Sequence, residues 1–168
     1  MTVSVLRWAA ALAGAAAALL LSGCPGGGSS CGPTSGTVVE VVDGDTVYLS
    51  TGEKIRYLMV DAPEITKGHN DCYGQEAAAF NKDMVLDQTV TLTYDKECTD
   101  KYGRLLAYVS FEGREVNSLL VERGFACVLH IPPNGEDRVD EFKTLQADAK
   151  SAKRGAWGSC NPLPPACK

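Results

Sequence analysis

Two β-branched runs, Thr37 to Val42 and Thr46 to Ser50, are separated by Asp43-Gly44-Asp45. An Asp-Gly step between such runs is a strong hairpin signal, because the tight turn needs residues that tolerate positive φ. It commits the start of the domain to antiparallel pairing. Ser50-Thr51-Gly52 supplies a second turn and Ile55 to Val60 a third strand, which Pro63 ends. Next, Gln75 to Leu86 places Ala77, Phe80 and Met84 on one face at spacings of three and four, which predicts a helix. Thr89 to Tyr94 sets Val90 and Leu92 against threonines, the pattern of a half-buried strand, and Leu105 to Phe111 is another, ending at Glu112-Gly113. Val116 to Arg123 reads as a short helix stopped by Gly124. The last helix spans Glu136 to Lys153, with Val139, Phe142, Leu145, Ala149 and Ala152 as its apolar stripe. The expected fold is α+β: a five-stranded OB-type β-barrel with three α-helices covering its openings. Closing the sheet removes its exposed edges.

The first 23 residues do not belong to that fold. Arg7 is their only charge, and Trp8 to Leu21 is an uncharged run rich in Ala and Leu. That run suits a signal-peptide core and is short for a membrane span of about 20 residues. Leu21-Ser22-Gly23-Cys24 follows, and it resembles the lipobox of bacterial lipoproteins, with Cys24 the residue that is lipidated. The resulting organisation is a leader at 1–23, a flexible Gly/Ser/Pro-rich tether at 24–36, a domain at 37–158 and an irregular tail at 159–168. An exported, lipid-anchored protein is expected, at an outer membrane, in the periplasm or at the cell surface.

Beyond Cys24 six cysteines remain: Cys31, Cys72, Cys98, Cys127, Cys160 and Cys167. An even count in an exported chain reads as three disulfides, and the long spacings with no C-x-x-C pair argue against zinc. Cys72 and Cys98 flank the motifs below, which suggests that they pair. Without Arg7 the chain carries 15 basic residues against 21 acidic ones, a net charge of −6. A nucleic-acid binder is usually basic, so an anion site here must be local, made of a few arginines and a cation.

Polar residues gather where strands end: Asp45 opens the second strand, Arg56 lies in the third, Asp61 and Glu64 flank its end, and Lys101-Tyr102-Gly103-Arg104 precedes the fifth. Taken alone, each reads as a turn or an exposed loop charge, and Arg56 as a partner of Glu53. Together, Val42 to Val47, Arg56 to Glu64 and Thr99 to Tyr108 resemble, in order, the three signature segments of the staphylococcal nuclease (thermonuclease) family. Tyr73 to Ala77 and Val116 to Val121 also resemble that family's helix starts. The resemblance runs from about Gly36 to Trp157.

The resemblance implies a calcium-dependent nuclease that hydrolyses phosphodiester bonds of DNA and RNA and leaves 3′-phosphate ends. It implies Asp45, Asp61 and the carbonyl of Ala62 as cation ligands, a hard oxygen set that suits Ca2+. The family often has threonine at the position of Ala62, and a backbone ligand survives that change. Glu64 matches the residue that positions the attacking water, as base or as orienter. Arg56 and Arg104 match the phosphate-clamping arginines, whose planar forks suit a phosphate. Lys101 and Tyr102 match residues that hold the neighbouring phosphate. The family's base-stacking tyrosines are missing from a shortened Phe125 to Asn134 stretch, where His130 falls near one of them. A monomer is expected. The alternative is a non-catalytic OB-type lipoprotein that binds nucleic acid or peptide, and behind it a disulfide-rich structural lipoprotein of the envelope.

Overall fold

The computed structural model describes Met1 and residues 31–168. The rest of the leader, the lipidation expected at Cys24 and most of the expected tether lie outside the described residues. Strands β1 (Ser35–Val41), β2 (Thr46–Leu49) and β3 (Lys54–Tyr57) form a meander, followed by a short β4 (Val60–Asp61) and helix α1 (Gly74–Val85). Then come β5 (Thr89–Thr99), β6 (Leu105–Phe111), β7 (Arg114–Glu115), α2 (Val116–Glu122), β8 (Cys127–Val128), α3 (Val139–Ser151) and a single turn, α4 (Ala156–Ser159), before a 3-10 turn at Pro165–Cys167.

Neighbouring strands run β3-β2-β1-β5-β6, and β3 returns to pair with β6 in parallel, Ile55 opposite Leu105 and Tyr57 opposite Ala107. That pairing closes a five-stranded barrel, and α1, α2 and α3 complete the expected OB-type α+β fold. Its core takes alternate residues from each strand: Val38, Val47, Leu49, Ile55, Val90, Leu92 and Val109 are buried, and Leu120 and Phe142 enter from the helices. The β5 threonines 89, 91 and 93 stay exposed between Val90 and Leu92, as a period of two requires. Asn117 is fully buried in α2 and spends its whole amide on the backbone. It accepts from Val109 N at 2.9 Å and donates to Leu58 O at 2.9 Å and Ala107 O at 3.2 Å.

Five expectations need correction. The third strand does not run to Val60: it stops at Tyr57, Met59 takes a φ of 67°, and the chain resumes as β4 paired with β8, Asp61 opposite Cys127. The Met59 side chain is buried, with its sulfur in the space that a Cβ on Gly135 would occupy; burying it offsets a left-handed conformation that costs about 1–2 kcal/mol. β5 does not end at Tyr94 but continues to Thr99. The Asn134 side chain acts there as a surrogate strand, accepting from Glu97 N at 2.7 Å and donating to Glu97 O at 2.9 Å. That contact and Gly135, at φ 77°, hold the chain in turns, so α3 begins at Val139 rather than Glu136.

The fourth correction is at the N-terminal side: Ser35 and Gly36, expected in the tether, already pair with β5 opposite Thr91 and Val90. The fifth is the pairing of the cysteines. All six form disulfides, but as Cys31–Cys98, Cys72–Cys160 and Cys127–Cys167. Cys72 therefore does not pair with Cys98. Cys98 lies at the end of β5 beside the incoming chain, whereas Cys72 precedes α1 and meets the chain leaving α4. Among the described residues no helix is long and apolar enough to cross a membrane.

Candidate active site

The β1–β2 turn is built to bury Asp45. Its backbone N–H bonds Asp43 Oδ1 at 3.0 Å and its carbonyl accepts from Tyr57 N at 2.9 Å. Asp45 is 5% exposed, and its carboxylate is surrounded by donors. Thr46 Oγ1 donates to Oδ1 at 2.9 Å, Ala62 N donates to Oδ2 at 2.7 Å, and Arg56 Nε stands 3.2 Å from Oδ1. The turn packs so closely on the strand and helix behind it that a Cβ on Gly44 would lie 2.6 Å from the Ala62 methyl and 2.9 Å from that of Ala77.

Arg56 sits opposite Thr46 in the β2–β3 ladder and is itself buried. Its Nη1 donates to Tyr57 O at 2.7 Å and Val60 O at 2.6 Å, and Nη2 donates to Asp61 Oδ1 at 2.9 Å. The break at Met59 makes this possible, because it turns Val60 and Asp61 back over the end of β3. Arg56 therefore joins the two expected cation ligands and does not pair with Glu53, which bonds Thr51. Burial pushes the Asp61 carboxyl above its ordinary range, against the pull of Arg56, and the charges of Asp45 and Glu64 push the same way. Burial and then the neighbouring Asp45 raise Asp43 to about 7, with a smaller push from Glu64. Asp43, Asp45, Asp61 and Glu64 thus act on one another, with Arg56 the guanidinium among them.

Glu64 follows Pro63 and folds its side chain onto its own loop. Oε1 accepts from Thr66 N at 2.7 Å, Thr66 Oγ1 at 2.7 Å and Ile65 N at 3.0 Å, and none of these bonds uses Oε2. Burial works to raise this carboxyl, but the Thr66 and Ile65 hydrogen bonds outweigh it and hold Glu64 below the usual carboxylate range.

Arg104 comes from the turn before β6. Asp100 organises that turn, accepting Tyr102 N at 2.9 Å and Arg104 N at 3.0 Å on Oδ1, and Arg104 Nε at 2.7 Å on Oδ2. No hydrogen bond within the described residues uses the two terminal nitrogens of Arg104. The guanidinium lies 5.6 Å from the Tyr102 ring centre, and Lys101 Nζ lies 5.0 Å from it. A cleft of about 410 Å³ takes in Arg56, Arg104, Lys101 and Tyr102 together with Leu106, Leu129 and Ile131. The closing β3–β6 pair, which sets Arg56 opposite Leu106, brings the two arginines to one end of the barrel.

Asp45, Asp61 and Arg56 are therefore in direct contact, Ala62 bonds Asp45, Glu64 is within electrostatic reach, and Arg104, Lys101 and Tyr102 share the cleft with Arg56. His130 is not part of it. Its Nε2 is buried without a hydrogen-bond partner, while Leu129 and Ile131, exposed on either side of it, line the cleft. Two residues of the site lie outside the sequence motifs' expected roles. Asp43 reads in sequence as a turn residue, and its spacing of two from Asp45 is the signal that it joins the site. Asp71, which bonds the Glu64 backbone, carried no signal at all. Among the described residues no three His, Cys, Asp or Glu side chains converge as a preformed metal cluster. The donors present are all oxygen: two carboxylates and nearby carbonyls, with more negative than positive charge, which is the chemistry of a hard cation whose shell water and substrate complete.

A closed OB-type barrel carrying paired carboxylates and two arginines at one end defines the class of protein. A family model described as "Staphylococcal nuclease homologue" matches residues 54–159, and the chain belongs to that family. It is 39% identical over 128 residues to the SPbeta prophage-derived endonuclease YokF of Bacillus subtilis (strain 168), covering 72% of this chain and 43% of the relative. It is 38% identical to endonuclease YncB of the same organism, covering 72% of this chain and 60% of that one. With the thermonuclease of Staphylococcus intermedius it shares 35% identity over 125 residues, 71% of this chain and 74% of the relative. The chain thus spans roughly half the length of the two Bacillus relatives.

Proposed function

We propose that this chain is an exported nuclease that hydrolyses phosphodiester bonds of DNA and RNA with the help of calcium, leaving 3′-phosphate ends. The observation that carries the reading is Arg56, which bonds Asp61, pairs with Asp45 and lines the cleft that also holds Arg104. Family membership and relatives named as endonucleases and thermonuclease support it. Calcium held by Asp45, Asp61 and the Ala62 carbonyl would supply a Lewis acid at a phosphate oxygen. The chain's own groups account for the rest. Arg56 is preorganised by two carbonyls and two carboxylates, so it meets developing charge without reorganising. Arg104 keeps its terminal fork for the phosphate, since Asp100 takes only Nε. Glu64 has Oε1 fixed by Ile65 and Thr66, which leaves the Oε2 side of its carboxylate to position the attacking water. Lys101 and Tyr102 hold the neighbouring phosphate, and base contact falls to Leu129 and Ile131 in place of His130. The domain acts as a monomer, lipid-anchored through Cys24 at an outer membrane, in the periplasm or at the cell surface. Three disulfides support an oxidising compartment.

The test is degradation of single-stranded DNA and RNA in calcium and then in chelator, for the parent, Glu64→Gln and Arg104→Ala. Calcium-dependent cleavage, lowered roughly 10²–10⁴-fold by Glu64→Gln, is expected. No cleavage by the parent in calcium rejects the nuclease, and full activity in both variants rejects the site.

A further inference from the structure

The last nine residues, 160–168, hold the C-terminal halves of two of the three disulfides, and both bonds land on segments that carry the candidate site. Cys167 is bonded to Cys127, which lies opposite Asp61 in the β4–β8 pair. Cys160 is bonded to Cys72, and the residue before Cys72 is Asp71. Asp71 holds both main-chain groups of Glu64: its N–H donates to Glu64 O at 2.9 Å, and its Oδ2 accepts Glu64 N at 3.2 Å. Its carbonyl accepts from Gly74 N at 3.0 Å, at the start of α1. Between them only Ile65 packs, against Gly74 at the start of α1, and the Thr66 carbonyl accepts from His69 N at 2.9 Å. Residues 67–70 are exposed, and Lys67 and Gly68 both take positive φ. The Glu64 backbone is therefore placed by Asp71, and Asp71 by α1 and by a covalent bond to the chain after α4.

We infer that Asp71 and the Cys72–Cys160 disulfide are positioning elements for Glu64, so that full turnover requires an oxidised C-terminal segment. The inference rests on the reading of Glu64 as the group that orients the attacking water. A dithiol such as dithiothreitol would open the bond by a two-electron exchange: the reagent closes to its cyclic disulfide, and Cys72 and Cys160 each end as a thiol. A dithiol also acts on Cys31–Cys98 and Cys127–Cys167; the barrel ladders do not pass through residues 64–71, so loss of Cys72–Cys160 alone falls on that loop. Misplacing a reacting group by about 1 Å can cost about 10²-fold in rate.

The full chain is compared with the double variant Cys72→Ser/Cys160→Ser, with Asp71→Ala, and with Asp71→Asn, which keeps an oxygen for Glu64 N. Nuclease kcat and KM are measured, together with amide hydrogen exchange at Glu64 to Asp71 and in β2, β5 and β6. The expected result is a kcat lowered about 10²-fold with KM little changed, faster exchange confined to the loop, and recovery of most of the rate in Asp71→Asn. An unchanged kcat in the folded double variant and in Asp71→Ala overturns the inference, as does faster exchange spread through the barrel. If the double variant does not fold, Asp71→Ala decides alone, because it keeps every cysteine. Glu64→Gln runs alongside: if it is fully active the role given to Glu64 has failed, and the exchange data still decide whether Asp71 and the disulfide hold the loop.

Discussion

Replacing Asp43 by asparagine tests the electrostatics of the site without touching a proposed ligand. The Asp43 carboxyl is raised from 3.8 to about 7, by burial first and by Asp45 second. In the unfolded chain it titrates near its ordinary value. Between about pH 4 and pH 7 the folded state therefore binds more protons than the unfolded one, and stability falls as pH rises through that window. The penalty is absent below the window and complete above it. At about 1.36 kcal/mol for each tenfold change in proton affinity, the rise from 3.8 to about 7 sets a ceiling of about 4 kcal/mol. Asparagine removes the charge and keeps the Oδ1 acceptor that Asp45 N uses at 3.0 Å. In chelator at pH 8, Asp43→Asn should be more stable than the parent by about 2–4 kcal/mol, and the gain should vanish near pH 4. Urea unfolding followed by tryptophan fluorescence across that pH range measures it. Calcium should shrink the gain, because a cation relieves the same repulsion. A variant less stable than the parent at pH 8, or a difference that does not change with pH, refutes the reasoning.

Two further substitutions probe the scaffold. Gly44→Ala places a methyl against Ala62 and Ala77, neither of which has a rotamer to yield; a loss of about 1–3 kcal/mol in denaturant unfolding is expected together with lost nuclease activity, and normal values for both would contradict the packing described. Asn117→Ala strands Val109 N and Leu58 O in the core. At about 1–3 kcal/mol for each unpaired group, the thermal midpoint should fall by at least about 5 °C, and a drop within experimental error would mean that water replaces the amide.

The barrel was legible because its strands and helices carry their period in local sequence, as in Val90 and Leu92 among threonines. What stayed hidden depends on distant partners. The extension of β5 is held by Asn134 and Cys31, 37 and 67 residues from their partners, and its charged run Asp95-Lys96-Glu97 gives no strand pattern. The break at Met59 comes from a void left by Gly135, which no local rule contains. Disulfide number follows from an even count, whereas pairing follows from which chain ends meet. At the site, motif spacing brought Asp45, Arg56, Asp61, Glu64 and Arg104 to attention, but not that Arg56 ties the two aspartates. Leu129 and Ile131 line the cleft and His130 does not, because in an extended stretch residues 129 and 131 share a face and 130 takes the other.

The Cys31–Cys98 bond also has a mechanical meaning. The chain enters β1 only a few residues after Cys31, and β1 is held to β5 by a short run of backbone bonds that tension could peel one at a time. A covalent link ahead of that run carries any pull from the N-terminal side straight to the end of β5, beyond the irregularity that separates Thr99 from the regular β5–β6 ladder. Force applied upstream of Cys31 is thus delivered to the β5–β6 side of the barrel, and the hairpin that presents Asp45 is spared.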